Sequence, residues 1–292
     1  MFQNAINTIK DVTFPLIVNT HMFSGESKTS FGTAILLNND GFFLTCAHMF
    51  LLALQFEKDK VELSKFNETL QSITCPDKRK KFMKKANPEW ITNLGIFFPK
   101  YNTGVDPSTV RLNLELDLAI FKVLSLPSFE PTIVFPTFNK TKAILPGTSF
   151  CRLGFPFKTA NVNFDKEKNM FNMDFLSSLN VIPNDGIITQ FINNISPVEV
   201  QGIKRSGSAI ETSTPGLRGQ SGGPIFDVDG IILGLQSFTT TTPLDIDGIV
   251  KNKKFPNKKD EHFPQFILFG VGISSSQICS FLDAENIAYN LI

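Results

Sequence analysis

Excess charge of either sign is missing from this chain. Lys and Arg total 28 and Asp and Glu total 27. The balance gives no support for nucleic acid or an anionic membrane as the main partner. Long apolar runs are missing too, so no helical membrane span is expected. Residues Met1 to Lys10 lack a basic region followed by an apolar run, and no secretory signal is expected. Cysteine is scarce and scattered: Cys46, Cys75, Cys151 and Cys279 form no Cys-x-x-Cys pair, which argues against structural zinc. Cys46, Cys151 and Cys279 lie in apolar surroundings and read as buried small hydrophobes. A reducing cytoplasm is the simplest compartment. Histidine is scarce, with only His21, His48 and His262. No metal or cofactor site is expected.

What is present is apolar and aromatic. Hydrophobic residues make up 42% of 292 residues, and 30 are Phe, as suits aromatic-rich strands and cores. From Phe14 onward, short apolar runs alternate with Gly, Asn, Asp and Pro. Strands are expected at Phe14 to His21, Thr33 to Leu37, Phe42 to Thr45, Trp90 to Phe98 and Leu118 to Val123. Asn38 to Gly41 reads as a hairpin turn. Residues 125–142 carry three prolines and read as a linker. More strands are expected at Phe150 to Phe155, Ile187 to Ile195, Glu199 to Ile203, Ser208 to Thr212, Ile231 to Phe238 and Phe266 to Ile273. Ser274 to Ser276 can cap a final helix running to about Tyr289. Residues 55–110 are harder to read; the Lys-rich stretch from Cys75 to Asn87 suits a solvated helix or loop face. Lys158 to Asn184 reads as an irregular insertion. The expected fold is all-β: two packed six-stranded barrels, residues 1–124 and 143–292, joined by the linker and ended by a helix.

One stretch stands apart. Gly219-Gln220-Ser221-Gly222-Gly223-Pro224 can fold tightly under the Ser221 hydroxyl. Such a turn can aim the Gly219 and Ser221 amides at one point, with Gln220 between them, and make an oxyanion hole. A serine hydroxyl needs a base and a group to orient that base. His48 lies between two apolar stretches, and Asp117 precedes a strand. The order His48, Asp117, Ser221 is that of chymotrypsin-like enzymes. Alone, His48 would read as a satisfied structural histidine and Asp117 as a strand-end acid.

Gly32-Thr33-Ala34, Asn39-Asp40-Gly41, Leu44 to His48, Asp117-Leu118-Ala119 and Gly219 to Pro224 together resemble trypsin-like serine proteases. The closer likeness is to the HtrA-type branch. The likeness runs from Phe14 to Ile273 in islands, with no counterpart at 55–110, 157–184 or 239–265. It implies that His48 is the general base, that Asp117 holds its tautomer and that Ser221 attacks a polypeptide substrate. It also places Pro215, Gly216, Leu217 and Arg218 at the specificity pocket and its rim. Ser237, Phe238 and Thr239 fall on the strand that pairs with substrate, and Gly270 on the opposite wall. Without an acid at Pro215 or Gly216, small or medium apolar residues are expected before the cut bond, with Arg218 a possible attractor of acids. Met49 stands where secreted trypsins carry a cysteine, so Cys46 lacks that partner. Gln220 replaces the aspartate that pairs with a freed amino terminus, so no such zymogen activation is expected. Only a helix's worth of residues follows Ile273, so the PDZ domain that HtrA proteins usually add is not expected. The long loops can gate access or dock a regulatory protein, or merely decorate the surface.

Two rival readings exist. Gly219-Gln220-Ser221-Gly222-Gly223 also fits the nucleophile elbow of esterases, with His262 as base. Gly222, Gly223 and Pro224 oppose the helix that an elbow requires. The other rival is a peptide-binding module that is inert, or inert until a partner arrives.

Overall fold

The computed structural model describes residues 1–99, 102–125, 133–195, 198–200, 203–250 and 261–292, with backbone alone at 198–200, 203, 245–250 and 261–264. The first barrel is built from β1 (Thr13–Met22), β2 (Ser27–Leu36), β3 (Phe43–Cys46), β4 (Ile91–Phe98), β5 (Thr103–Asn113) and β6 (Leu118–Val123). It closes in the order β1-β2-β3-β6-β5-β4. Closure leaves no unpaired sheet edge. The barrel interior is phenylalanine: Phe43 lies 4.8 Å from Phe98 and 5.6 Å from both Phe14 and Phe121, ring centroid to centroid. All four are fully buried, so the abundance of Phe serves packing here.

The linker is not strand-free. β7 (Thr137–Phe138) lies inside it and joins the second sheet. The second barrel uses β8 (Ser149–Gly154), β11 (Ile182–Ile192), β14 (Ala209–Thr212), β15 (Pro224–Phe226), β16 (Ile231–Val250) and β17 (Glu261–Ser274). They run β15-β8-β11-β14-β17-β16, and a β15–β16 pairing closes the ring. β7 and β18 (Asn290–Leu291) extend the sheet beyond it. The second barrel is thus six-stranded, as expected.

The remaining elements are additions to the two barrels. β9 (Ala160–Asp165) and β10 (Met170–Phe175) form a hairpin where an irregular insertion was expected. Its Phe164 stacks on His21 at 4.9 Å, and its Phe171 meets Phe97 edge-on. The hairpin therefore docks on the first barrel. A second hairpin pairs β12 (Val198–Val200) with β13 (Ile203–Arg205).

The helices are α1 (Gln3–Ile9), α2 (Leu51–Ser72), α3 (Pro76–Met83) and α4 (Ser275–Ala284). α2 was illegible because it presents little apolar surface. Only Asp59 and Phe66 are buried along its 22 residues. Asp59 accepts the Ile91 backbone N–H at 2.8 Å, and Phe66 packs on Phe23, Phe82 and Trp90. α4 begins at the expected Ser274 cap, which accepts the Gln277 amide. It stops at Ala284, short of Tyr289, because Asn286 turns left-handed (φ +56°) and Ile287 N–H closes back on Leu282 O. Among the described residues no helix is long and apolar enough to cross a membrane.

Candidate active site

The site forms where the barrels meet. Thr45 at the end of β3 donates its hydroxyl to Thr33 O at 2.6 Å. Thr33 in turn donates Oγ1 to Gly219 O (2.8 Å) and its backbone N–H to Ser221 O (2.8 Å). Strand β2 of the first barrel therefore grips the serine turn of the second. Gly222 sits at φ +83°, and a Cβ there would collide with Thr33 O and Thr45 Oγ1. The glycine is required by that close approach.

His48 lies in a short 3-10 turn, Ala47–Phe50, directly after β3. Its Nδ1 is 2.9 Å from Asp117 Oδ2 and 3.2 Å from Oδ1, and its backbone N–H donates to Oδ1 at 2.9 Å. Asp117 adopts φ +60°, uncommon for a residue with a Cβ. Its carbonyl receives the Ala47 N–H at 3.0 Å. Ser237 donates its hydroxyl to Oδ2 through a short hydrogen bond. Arg205 completes the set, with Nη1 2.6 Å from Oδ1. Burial pushes Asp117 upward, but the His48 hydrogen bond and charge, Arg205 and Ser237 outweigh it. The carboxyl is held below its ordinary value.

The Ser221 hydroxyl donates to Ser237 O at 3.2 Å, and among the described residues it makes no hydrogen bond to His48. The backbone around it is specific. Gln220 N–H is spent on Leu217 O at 2.8 Å and its side-chain Oε1 accepts Leu217 N–H at 2.9 Å. Gln220, counted with Gly219 and Ser221 as an oxyanion-hole residue on its place in the motif, is therefore a brace of the turn whose N–H is already engaged. The Gly219 and Ser221 N–H groups donate to no such acceptor among the described residues. Phe157 N–H donates to Arg218 O at 3.0 Å. A trans peptide points its N–H opposite its C=O, so this bond turns the Gly219 N–H away from Phe157.

The pocket residues gather around the same turn. Thr239 Oγ1 donates to Gly216 O at 2.8 Å, tying the two walls together. The Gln236 amide lies where a Gly216 side chain would go, and donates to Phe238 O at 2.7 Å. Beneath the floor, the fully buried Arg152 donates to Pro215 O and Thr212 Oγ1, each at 2.8 Å. A side chain on Gly270 would run into that guanidinium. Burial pulls the Arg152 pKa down to about 10. Gln236 and Arg152, which carry no motif, thus brace the expected pocket from behind. Arg218 is exposed at the rim.

Cys46 Sγ, His48 and Asp117 offer ligand atoms within 4.8 Å of one another. A metal would need the thiolate. Burial, then the Asp117 charge, pushes the Cys46 thiol well up, and its S–H donates to Gln236 O at 3.1 Å. That donor set fits a neutral thiol better than a metal ligand. His262 lies in β17, and its side chain is outside the described residues.

The sequence profile of the trypsin-like peptidase domain matches residues 32–235. The chain belongs to the trypsin-like peptidases. No curated protein matches it. Among solved structures, the Rv3671c protease from M. tuberculosis in its active form aligns at TM-score 0.50 and 12% identity, covering 99% of this chain and 86% of that one. The HtrA-type protease AlgW with a tripeptide aligns at TM-score 0.51 and 14% identity. That alignment covers 97% of this peptidase, which spans 63% of the AlgW chain. At such identities the likeness speaks for the fold. This peptidase is a trypsin-like serine protease hydrolase with polypeptide substrates. Pro224 opens strand β15 three residues after Ser221, so no helix follows the serine as an esterase elbow requires.

Proposed function

We propose that this peptidase is a serine endopeptidase working through His48, Asp117 and Ser221. The observation that carries the reading is the Asp117 carboxylate on His48 Nδ1 at 2.9 Å. That bond leaves Nε2 as the nitrogen that can accept a proton. Ser221 Oγ exchanges its bond to Ser237 O for one to Nε2, attacks the scissile carbonyl and passes its proton to His48. The carbonyl oxygen becomes an oxyanion facing the Gly219 and Ser221 N–H groups. The proton then goes to the departing amine, leaving an acyl-Ser221. Water, deprotonated by His48, releases the acid product and restores the hydroxyl.

The residue before the cut bond is small. The Thr239 to Gly216 bridge and the Gln236 amide support this narrowing of the earlier small-or-medium expectation. The four cysteines are unpaired, which favours a reducing compartment such as the cytoplasm.

A second reading, an enzyme gated by a partner, draws on the Ser221 hydroxyl being engaged with Ser237 O. Fluorophosphonate labelling separates the readings. Labelling of Ser221 in the isolated chain, lost in Ser221→Ala and in His48→Ala, is expected. Labelling only after a partner is added would favour gating. Labelling that survives His48→Ala would sink the triad.

A further inference from the structure

Arg205 enters the site from β13 of the β12–β13 hairpin and has no counterpart in the motifs that flag the triad. Its side chain is 3% exposed and that of Asp117 2%. Nη1 lies 2.6 Å from Asp117 Oδ1 and donates to Leu114 O at 3.1 Å. Its neighbours extend the grip. Ser206 N–H donates to Glu115 O at 3.2 Å, and the Ser206 hydroxyl makes a short bond to the Glu115 carboxylate. Gly207, at φ +96°, packs closely against the Leu116 and Gln277 side chains. Residues 205–207 thus hold the loop 114–117 along its length. That loop carries Asp117 at its unfavourable φ of +60°.

The ion pair has a chemical consequence. The carboxylate that must stabilise an imidazolium on His48 is already shared with a permanent cation. Arg cannot give up its proton in a protein, so the sharing persists at every working pH. The groups facing Asp117 are His48 from the turn after β3, the neutral thiol of Cys46 from β3, the Ser237 hydroxyl from β16 and Arg205 from β13. Glu115 on the same loop is engaged by Ser206. Arg205 is the one fixed charge among them.

We propose that Arg205 is a positioning residue of the triad: the β12–β13 hairpin uses it to hold Asp117 against His48 and to set how much negative charge the imidazole meets. The proposal rests on the triad reading above. Removing the cation gives the imidazole a barer carboxylate and makes it more basic. Removing the hydrogen bonds loosens the loop and slows turnover with little effect on substrate binding.

The test is an NMR titration of His48 in the full chain, with His21 and His262 as internal references. It compares the unaltered chain with Arg205→Met, Arg205→Gln and Arg205→Lys. Met removes charge and donors, Gln removes charge and keeps donors, and Lys keeps charge. The His48 midpoint is expected about one pH unit higher in the Met and Gln variants and near the unaltered value in Lys. In steady-state cleavage, kcat should fall about tenfold in Arg205→Met with KM within about twofold, and less in Arg205→Gln. If Arg205→Met does not fold, the Gln and Lys variants carry the comparison. An unmoved His48 midpoint in Arg205→Gln overturns the proposal, and so does unchanged kcat in Arg205→Met. Absence of fluorophosphonate labelling in the unaltered chain, with and without a partner, would instead sink the triad reading, and the titration would still judge Arg205.

Discussion

Replacing Gly219 by alanine tests the oxyanion hole at its weakest point. Gly219 sits at φ +100°, and an added Cβ would overlap Phe155 O and come within 3.1 Å of Phe155 C and 3.3 Å of Pro156 Cα. These are backbone atoms, so no side-chain rotation relieves the clash. Either the Phe155 to Phe157 segment withdraws and breaks the Phe157 N–H to Arg218 O bond, or the 218–219 peptide turns over. Both outcomes take the Gly219 N–H from its place. Loss of one such donor costs about 3 kcal/mol of transition-state stabilisation, roughly a hundredfold or more in kcat. The backbone strain itself costs about 1–2 kcal/mol of folding stability. Gly25→Ala separates the two effects. Gly25 has φ +93° with nothing within 4 Å of an added Cβ, so it carries the strain without the clash. Kinetics on a peptide amide and urea melts of both variants should show similar stability losses and a kcat defect only in Gly219→Ala. If folded Gly219→Ala kept kcat within about threefold of the unaltered enzyme, Gly219 would not supply the hole.

Other consequences are as direct. Thr239→Gly removes the hydroxyl that ties Thr239 to Gly216; a peptide library should show wider tolerance before the cut bond, and an unchanged profile would mean that this bond does not gate the pocket. Asp117→Asn strips the carboxylate from buried Arg205, and urea unfolding at pH 7 should show a loss of about 3–5 kcal/mol. Because the folded carboxyl of Asp117 lies below its ordinary 3.8, its contribution is present above that value and fades as pH falls through the lowered one. The gap between the two proteins should therefore shrink below about pH 4; a constant gap would argue against the ion pair as its source. In the native state one thiol, the exposed Cys75, should react rapidly with a disulfide reagent. Burial first of all raises Cys151 to about 11 and lifts Cys46 and Cys279 as well. Two or more fast thiols would show that the barrels open readily.

Much was legible in the residue order, and for local reasons. Strand β6 was read to the residue because Leu118 to Val123 is apolar but for Lys122 and directly follows Asp117. The Gly219 to Pro224 turn was legible because its torsions and its contact with Thr33 admit only glycine at Gly222. The same short-range grammar failed for α2, whose exposed length gives no periodic apolar face, and for the β9–β10 hairpin, whose partners on β1 and β4 lie far away in sequence.

By itself the sequence determined the family, most of the barrel strands and the types of residue able to do acyl transfer, because turns, strand periodicity and nucleophile chemistry are written in neighbouring residues; β5 and β15 were not read. The tertiary structure alone decided what surrounds them. It set Arg205 on Asp117, Arg152 and Gln236 behind the pocket, and Gln220 as a brace instead of a donor. Those outcomes depend on how two barrels dock and where buried donors find acceptors, and no run of adjacent residues encodes that.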